Sequence, residues 1–135
     1  MMKRSEVEGF LTNHGRVVVA TLDADGRTQM SLVVATFMDG QIMFTTPSAT
    51  RKARNLARDP RATVLVLGDN FWEYLTVEGN ATLVGLPEAQ SLLRTVYERI
   101  AQKPHPDWEE YDEAMRREAR VVAKITPERM YPLSD

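Results

Sequence analysis

The sequence predicts a mainly β protein, a small β-barrel with flanking helices. Short runs rich in β-branched residues recur along the 135 residues, and Asp25-Gly26 and Asp39-Gly40 supply tight turns between successive runs. Segments with helical periodicity are few. Five or six short strands with hairpin spacing are typical of a small barrel, and we expect residues 1–135 to form a single domain.

The N-terminal part is predicted to contain one helix followed by hairpins. Residues 3–13 have their apolar side chains on one helical face, namely Val7, Phe10 and Leu11. Two β-rich runs, VVVATL and MSLVVATF, surround the Asp25-Gly26 turn, and IMFTT follows the Asp39-Gly40 turn. These segments are therefore expected to form strands of the barrel.

A short basic helix is predicted within TTPSATRKARNLARDPR, residues 45–61. Ser48 or Thr50 can cap its start, and Asp59-Pro60 ends it. An apolar stripe would dock the helix on the barrel; it consists of Ala49, Ala53, Leu56 and Ala57, with Lys52 and Asn55 at its flank. Three other bases are expected at the solvated surface: Arg54, and Arg58 and Arg61 paired with Asp59.

The middle of the chain is predicted to form a buried strand, ATVLVL, and a long alternating strand, WEYLTVEGNATLVG. The apolar face of the alternating strand contains Leu75, Val77, Ala81 and Leu83. Trp72 and Tyr74 lie on its polar face, where aromatic side chains more often cover an interface or a ligand than pack within a strand.

Two helices and one strand are predicted to complete the chain. Pro87 begins the first helix, and its apolar stripe consists of Leu92, Leu93, Val96, Tyr97 and Ile100. The second helix covers residues 106–118, and its core residues are Trp108, Tyr111 and Met115. The run RVVAKI forms the last strand.

Composition and charge exclude several classes of function. The net charge is −2, but residues 51–61 contain five bases and one acid. A cluster this short fits a small anion better than nucleic acid, whose partners are usually basic overall. No apolar run approaches the roughly 20 residues of a membrane span, and the N-terminus lacks a signal-peptide core. We therefore expect a cytoplasmic protein that contacts neither membranes nor nucleic acid.

Catalysis by side chains has no recognisable signature. The chain has no cysteine, and His14 and His105 lack metal-ligand spacing, so no metal site is expected. His14 beside Gly15 is predicted to end the N-terminal helix. No glycine pattern matches a dinucleotide or phosphate loop, and no serine lies in a nucleophile elbow. We expect no catalytic side chain, and in an enzyme a cofactor would supply the reactive atom.

Arg51 and Lys52 indicate what the basic helix binds. Both lie in its first turn, where unpaired backbone N–H groups already carry about half a positive charge and each cation costs roughly 0.3–1 kcal/mol. A phosphate would contact these N–H groups, the Thr50 hydroxyl and both cations together. The sequence therefore predicts that a cofactor phosphate binds at this helix.

These residues also carry a family resemblance. Thr45-Thr46, the run from Thr50 to Leu56, and Arg58 to Arg61 resemble the pyridoxamine-phosphate-oxidase-like flavoproteins. Within that superfamily, ARNLARDPRATVLV, WEYLTVEGNATLV and HPDWEEYDEAM are most similar to the branch that uses the deazaflavin coenzyme F420. The resemblance spans most of the chain. It implies a split β-barrel of the FMN-binding type that assembles as a homodimer, with cofactor clefts between the subunits.

The resemblance implies hydride transfer from coenzyme F420 to a small unsaturated or planar substrate. Pyridoxamine-phosphate oxidases carry an arginine and a lysine on the second barrel strand, and the matching run, residues 31–36, has neither. This difference favours F420 over FMN. Two alternatives stay open: an FMN-binding oxidoreductase of the same fold, and a non-catalytic protein that stores or senses a cofactor.

The resemblance also implies a set of cofactor-binding residues. The phosphate end would be held by Thr50, Arg51, Lys52 and Asn55. The ring system would lie along Thr45, Thr46 and the backbone of Ser31, Leu32 and Val33. Trp72 and Tyr74 would reach the cofactor from the partner subunit.

Overall fold

A curled antiparallel sheet of seven strands with four flanking helices forms the structure, a computed structural model that describes residues 1–135. The strands are β1 (Arg16–Leu22), β2 (Thr28–Val34), β3 (Thr36–Met38), β4 (Gln41–Pro47), β5 (Arg61–Leu67), β6 (Tyr74–Gly85) and β7 (Arg120–Tyr131). The helices are α1 (Val7–Asn13), α2 (Arg51–Arg58), α3 (Gln90–Ala101) and α4 (Trp108–Arg117), and a 3₁₀ turn, Arg4–Glu6, precedes α1. The predicted mainly β fold is confirmed, with seven strands instead of five or six.

The strand order is β2-β1-β5-β6-β7-β4-β3, so β2 and β3 lie at the two edges of the sheet. Both predicted turns join neighbouring strands: β1 pairs with β2, and β3 with β4. The β3–β4 turn requires left-handed backbone, with φ of 54° at Asp39 and 74° at Gly40. Asn, Asp and Gly tolerate that conformation best, which is why the Asp-Gly pattern located this turn.

Two apolar clusters cover opposite sides of the sheet. The cluster inside the curl includes Val19, Phe44, Val64, Leu75 and Ile125, closed by α1 and by Leu56 of α2. The cluster outside it includes Met43, Leu93, Val96, Tyr111 and Val122, where α3 and α4 cover β4 and β7. Because successive strand residues point to opposite faces, β4 and β7 are buried on both sides and contain consecutive apolar residues.

The C-terminal helices differ from the sequence prediction in detail. Pro87 lies in the turn before α3, which begins at Gln90. Leu93 and Val96 are buried as predicted, whereas Ile100 at the end of α3 is exposed. In α4, Tyr111 is buried and its hydroxyl donates to the Leu93 carbonyl at 2.9 Å. Trp108 and Met115 are only partly buried against the same cluster. No helix in the structure has the length and apolar character needed to cross a bilayer.

The long pairing of β6 with β7 contains an irregularity at Glu78 and Gly79, where the register shifts. The chains approach so closely there that a Cβ on Gly79 would lie 2.1 Å from the Thr126 carbonyl oxygen. Such a distance is far below van der Waals contact, so only glycine fits without moving the backbone of β7.

We expect Gly79→Ala to lower the free energy of unfolding by about 1–3 kcal/mol, the usual cost of forcing extra atoms into a packed interior. Gly9→Ala is the matched control. Gly9 lies in α1 with open space around it, so alanine there would stabilise the protein by roughly 0.5–1 kcal/mol. Urea denaturation of both variants measures the difference, and equal effects would contradict the close approach at Gly79.

Candidate functional site

The N-terminus of α2 is organised by threonines. The Thr50 hydroxyl caps the helix by accepting the Ala53 N–H at 3.3 Å, as predicted for one of the two candidate caps. It also lies 2.8 Å from the hydroxyl of Thr46, which is buried. The backbone N–H groups of Arg51 and Lys52 have no acceptor within the chain. The helix therefore begins with two free donors and a positive end.

Arg51 has a counter-charge that the sequence did not reveal. Its guanidinium donates two parallel hydrogen bonds to the carboxylate of Asp23, which lies in the loop after β1. The Nε atom of Arg51 is 2.8 Å from Asp23 Oδ1. The hydrogen bond from Arg51, followed by that from Asn55, lowers the pKa of the Asp23 carboxyl to about 2. Asp23 thus supplies a counter-charge for Arg51 within the chain, where the sequence predicted a bound phosphate.

Asn55 belongs to the same junction. Its side chain is 4% exposed, and Nδ2 donates to Thr21 Oγ1 at 3.1 Å and to Asp23 Oδ1 at 2.9 Å. Its Oδ1 accepts from Arg58 Nη2 at 3.1 Å. Asn55 therefore has no polar atom left for a phosphate, contrary to the prediction from sequence. The predicted apolar stripe is only partly buried: Ala53 and Leu56 are buried, whereas Ala49 and Ala57 are exposed.

The remaining bases of α2 lie at its surface. Arg61 pairs with Asp59 as predicted, with Nη2 2.8 Å from Oδ2. Arg58 instead donates to the Leu22 carbonyl oxygen and to Asn55, so its predicted pairing with Asp59 is wrong. Arg54 is exposed and forms no hydrogen bond or ion pair. These bases are accounted for without a ligand.

Lys52 remains without any partner. Lys52 is half-buried, and its ammonium forms no hydrogen bond or ion pair. Burial, followed by the nearby Arg120 guanidinium, lowers the Lys52 pKa. Arg120 begins β7 opposite Pro47, donates to Thr45 Oγ1 at 3.1 Å and to Glu118 Oε2 at 2.8 Å. Two cations therefore meet at the start of α2, and only Lys52 lacks a balancing charge. An anion bound there would stabilise the charged lysine.

Open space adjoins Arg120. A cleft of about 320 Å³ is bordered by Ser48, in the turn before α2, and by Arg116 and Arg120. Thr45 is half-buried beside Arg120, whereas the Thr46 hydroxyl is used within the chain. Thr46 is also buried, so of the predicted threonine pair only Thr45 reaches the surface.

The residues predicted to lie along a ring system belong to the edge strand β2. Ser31 and Val33 point to the inner side of the sheet, and Leu32 on the opposite side is 80% exposed. Ser31 Oγ accepts from Gln29 Nε2 at 2.7 Å, and Gln29 Oε1 accepts from Thr21 Oγ1 at 2.9 Å. Because Thr21 also bonds Asn55, a hydrogen-bond chain joins β2 to α2.

Trp72 and Tyr74 lie where the chain enters β6. Trp72 is in the loop of residues 68–73 and not on a strand, contrary to the prediction, and it is 83% exposed. Tyr74 is the first residue of β6 and is less exposed. With other exposed apolar residues they form a surface that we call the outer face: Met30, Leu32, Val34, Leu67, Phe71, Trp72 and Tyr74.

Sequence reasoning missed Asp23 and Arg120. Asp23 follows β1, Arg120 begins β7, and neither belongs to a motif. Their importance follows from which segments become neighbours: the loop after β1 meets α2, and the start of β7 meets the end of β4. No local pattern in the sequence carries that information.

These features define a class of protein, a split barrel with a basic helix N-terminus beside one sheet edge. The family model described as "Pyridoxamine 5'-phosphate oxidase" matches residues 4–134. The chain belongs to that family, and the resemblance and the split-barrel fold expected from sequence are confirmed.

Solved structures share this fold. The conserved hypothetical protein Rv2991 from Mycobacterium tuberculosis is 28% identical, with 96% of this chain and 83% of that chain covered and a TM-score of 0.79. An F420 reductase is 22% identical over 92% of this chain and 94% of that one, with a TM-score of 0.70. HutZ, the heme storage protein from Vibrio cholerae, is 19% identical over 97% and 94%, with a TM-score of 0.67. At 22% and 19% identity the likeness shows the fold alone.

The Asp23–Arg51 contact yields a pH prediction. The pKa of Asp23 in the folded chain, about 2, is below its unfolded value of about 3.9. Its contribution to stability is therefore present above roughly pH 4 and is lost as the pH falls towards 2. Arg51→Met should raise the Asp23 pKa, which carboxyl NMR titration measures, and Arg54→Met should leave it unchanged. An unaltered pKa in the Arg51 variant would refute the contact.

Proposed function

We propose that the protein is an oxidoreductase that binds a phosphorylated flavin-type cofactor, coenzyme F420 in preference to FMN, and uses it to transfer a hydride to a small unsaturated or planar substrate. The observation that carries the proposal is Lys52, a half-buried cation without a counter-charge beside Arg120 and two free helix N–H groups. Membership of the pyridoxamine 5'-phosphate oxidase family and the shared fold of an F420 reductase support it.

The residues at α2 fit a phosphate. The N–H groups of Arg51 and Lys52 can donate to its oxygens, the Lys52 ammonium can neutralise it, and Arg120 has donors beyond those used by Thr45 and Glu118. Charge-assisted bonds of this kind orient a ligand as well as bind it. Thr50 contributes as the cap that keeps the helix start in place, since its hydroxyl is bonded within the chain.

The chain's own residues would orient the cofactor and exclude water. With the phosphate held at α2, the cofactor ring would extend along the free backbone edge of β2 at Ser31 to Val33. When bound, the cofactor supplies the hydride, so the protein need only place the substrate against it. No side chain is assigned as acid or base, because each carboxylate with a lowered pKa is already paired with an arginine.

A titration with F420 and FMN in parallel, followed by fluorescence, tests the proposal. We expect the protein to bind F420 more tightly than FMN, and Lys52→Met to weaken binding by about 1.5–3 kcal/mol, roughly 10- to 150-fold. Arg54→Met, on the same helix and exposed, should bind as the wild type does. Because burial disfavours the charged form of Lys52 in the folded chain, the Lys52→Met variant should unfold at no lower temperature than the wild type.

A Lys52 variant that binds both cofactors with wild-type affinity would eliminate the phosphate site. Tighter binding of FMN than of F420 would support the FMN-dependent alternative. A second function class, a cofactor carrier, is favoured by the lack of any assigned acid or base and by the shared fold of a heme storage protein. Cofactor binding without turnover of planar unsaturated acceptors by the reduced cofactor would identify a carrier.

We also propose that the protein is a homodimer formed through the outer face. None of the seven residues of β2 is buried, although its neighbour β1 contributes to the core. Leu32 lies opposite Val18 and Val18 opposite Leu65, which continues the apolar surface across three strands. An exposed apolar edge strand favours association. A twofold-related copy would cover it and bring Trp72 and Tyr74 towards the neighbouring subunit.

We expect light scattering to give a dimer of the 15.3 kDa chain at micromolar concentration. Leu32→Glu should produce a monomer, because burying a carboxylate in an apolar interface is unfavourable. Ile100→Glu, at an exposed apolar residue of α3 outside the outer face, should remain dimeric. A wild-type monomer, or a dimer that persists in the Leu32 variant, would contradict this interface.

A further inference from the structure

We infer that His14, Asp69 and Glu73 form a binding site for one divalent transition-metal ion of the Zn²⁺ type. The three residues come from two segments: His14 follows α1, and Asp69 and Glu73 belong to the loop before β6. One potential ligand atom from each lies within 4.8 Å of the others. The sequence predicted no metal site, because the chain has no cysteine and its two histidines lack metal-ligand spacing. The proposed cofactor site at α2 uses none of these residues.

The imidazole of His14 is held in one orientation. Its Nδ1 is 2.8 Å from the Phe10 carbonyl oxygen, and its ring stacks on the Phe10 ring with centroids 4.3 Å apart. A carbonyl oxygen can only accept, so Nδ1 carries a hydrogen and Nε2 presents its lone pair when the ring is neutral. Metal-binding histidines are commonly fixed by this kind of bond at the other nitrogen.

The distances between ligand atoms suit a shared ion better than hydrogen bonds. Nε2 of His14 is 3.3 Å from Asp69 Oδ1 and 3.8 Å from Glu73 Oε1. Charge-assisted N–H···O bonds are shorter, about 2.7–2.9 Å. Ligands placed roughly 2.0–2.2 Å from one ion lie about 3–3.6 Å apart around a tetrahedron or octahedron. The His14–Asp69 distance falls in this range, and the His14–Glu73 distance is slightly longer, so Glu73 would move a little towards the ion. Without an ion, a neutral His14 would direct its lone pair at two carboxylates.

The loop is shaped to present Glu73. Its Oε1 accepts the Asp69 N–H at 3.0 Å, and its carbonyl oxygen accepts the Gly68 N–H at 2.8 Å. A Cβ on Gly68 would lie 2.3 Å from Glu73 Oε1, so the glycine leaves the space that the carboxylate occupies. Glu73 is thus positioned from within its own loop, as ligands in preformed sites are.

The ligand atoms and the open side of the site indicate the type of ion. One imidazole nitrogen and two carboxylate oxygens suit Zn²⁺ and its neighbours in the first transition row, whereas Ca²⁺ and Mg²⁺ prefer oxygen alone. The Asp69 side chain is 88% exposed. His14 and Glu73 line a cleft of about 790 Å³ that also contacts Phe10 and Trp72. Water would complete the coordination, and the ion would tie the loop that carries Trp72 to α1.

Isothermal titration of the chelator-treated full-length chain with ZnCl₂ tests the site. We expect one ion per chain, at least tenfold weaker binding by His14→Ala and by Glu73→Gln, and a rise in melting temperature with Zn²⁺ that both variants lack. Glu73→Gln keeps the shape of the loop, so its result does not depend on a folding defect. His105→Gln and Glu88→Gln, at a histidine and an exposed glutamate outside the site, are the matched controls.

Co²⁺ provides a second measurement, because its visible absorption changes when protein ligands replace water around the ion. This change should appear with the wild type and with both controls, and should be absent with His14→Ala. Three results would overturn the proposal: no saturable binding at equimolar Zn²⁺, wild-type affinity in either site variant, or an equal loss of affinity in the controls.

Discussion

The carboxylate of Asp23 holds together the part of the structure on which the candidate site depends. It accepts hydrogen bonds from Arg51 and Asn55 of α2, so the loop after β1 is fixed to the first turn and to the middle of that helix. The paired bonds from a guanidinium are directional, and the bond from the buried amide is protected from water. The free N–H groups at the start of α2 consequently have a set position relative to the sheet.

Acidic side chains pair with several of the bases in and around the basic segment. Asp23 neutralises Arg51, Asp59 neutralises Arg61, and Glu118 binds the Arg120 that lies near Lys52. A segment that is strongly basic in sequence therefore contains one half-buried cation without a counter-charge. This distribution of charge is the basis for proposing one small anion, and not a broad anionic surface, as the ligand.

Strand β2 connects the site to the surface that the proposed dimer would cover. Ser31 of β2 is joined to Asn55 of α2 by hydrogen bonds through Gln29 and Thr21. The opposite side of the strand carries the exposed Leu32. The proposed dimer contacts and the hydrogen-bond network to α2 thus lie on opposite sides of the same strand. A second copy bound at β2 would restrict the motion of the strand and of the network.

Local patterns in the sequence determined the mainly β fold, the turn at Asp39-Gly40 and the Thr50 cap, because turn and cap preferences depend on neighbouring residues. The N-terminal position of Lys52 in its helix was readable in the same way. The tertiary structure alone decided that Asn55 is buried and bonded, that Arg120 approaches Lys52, and that His14 meets carboxylates far along the chain. These three outcomes depend on strand order and register, which bring distant segments into contact and leave no trace in local spacing.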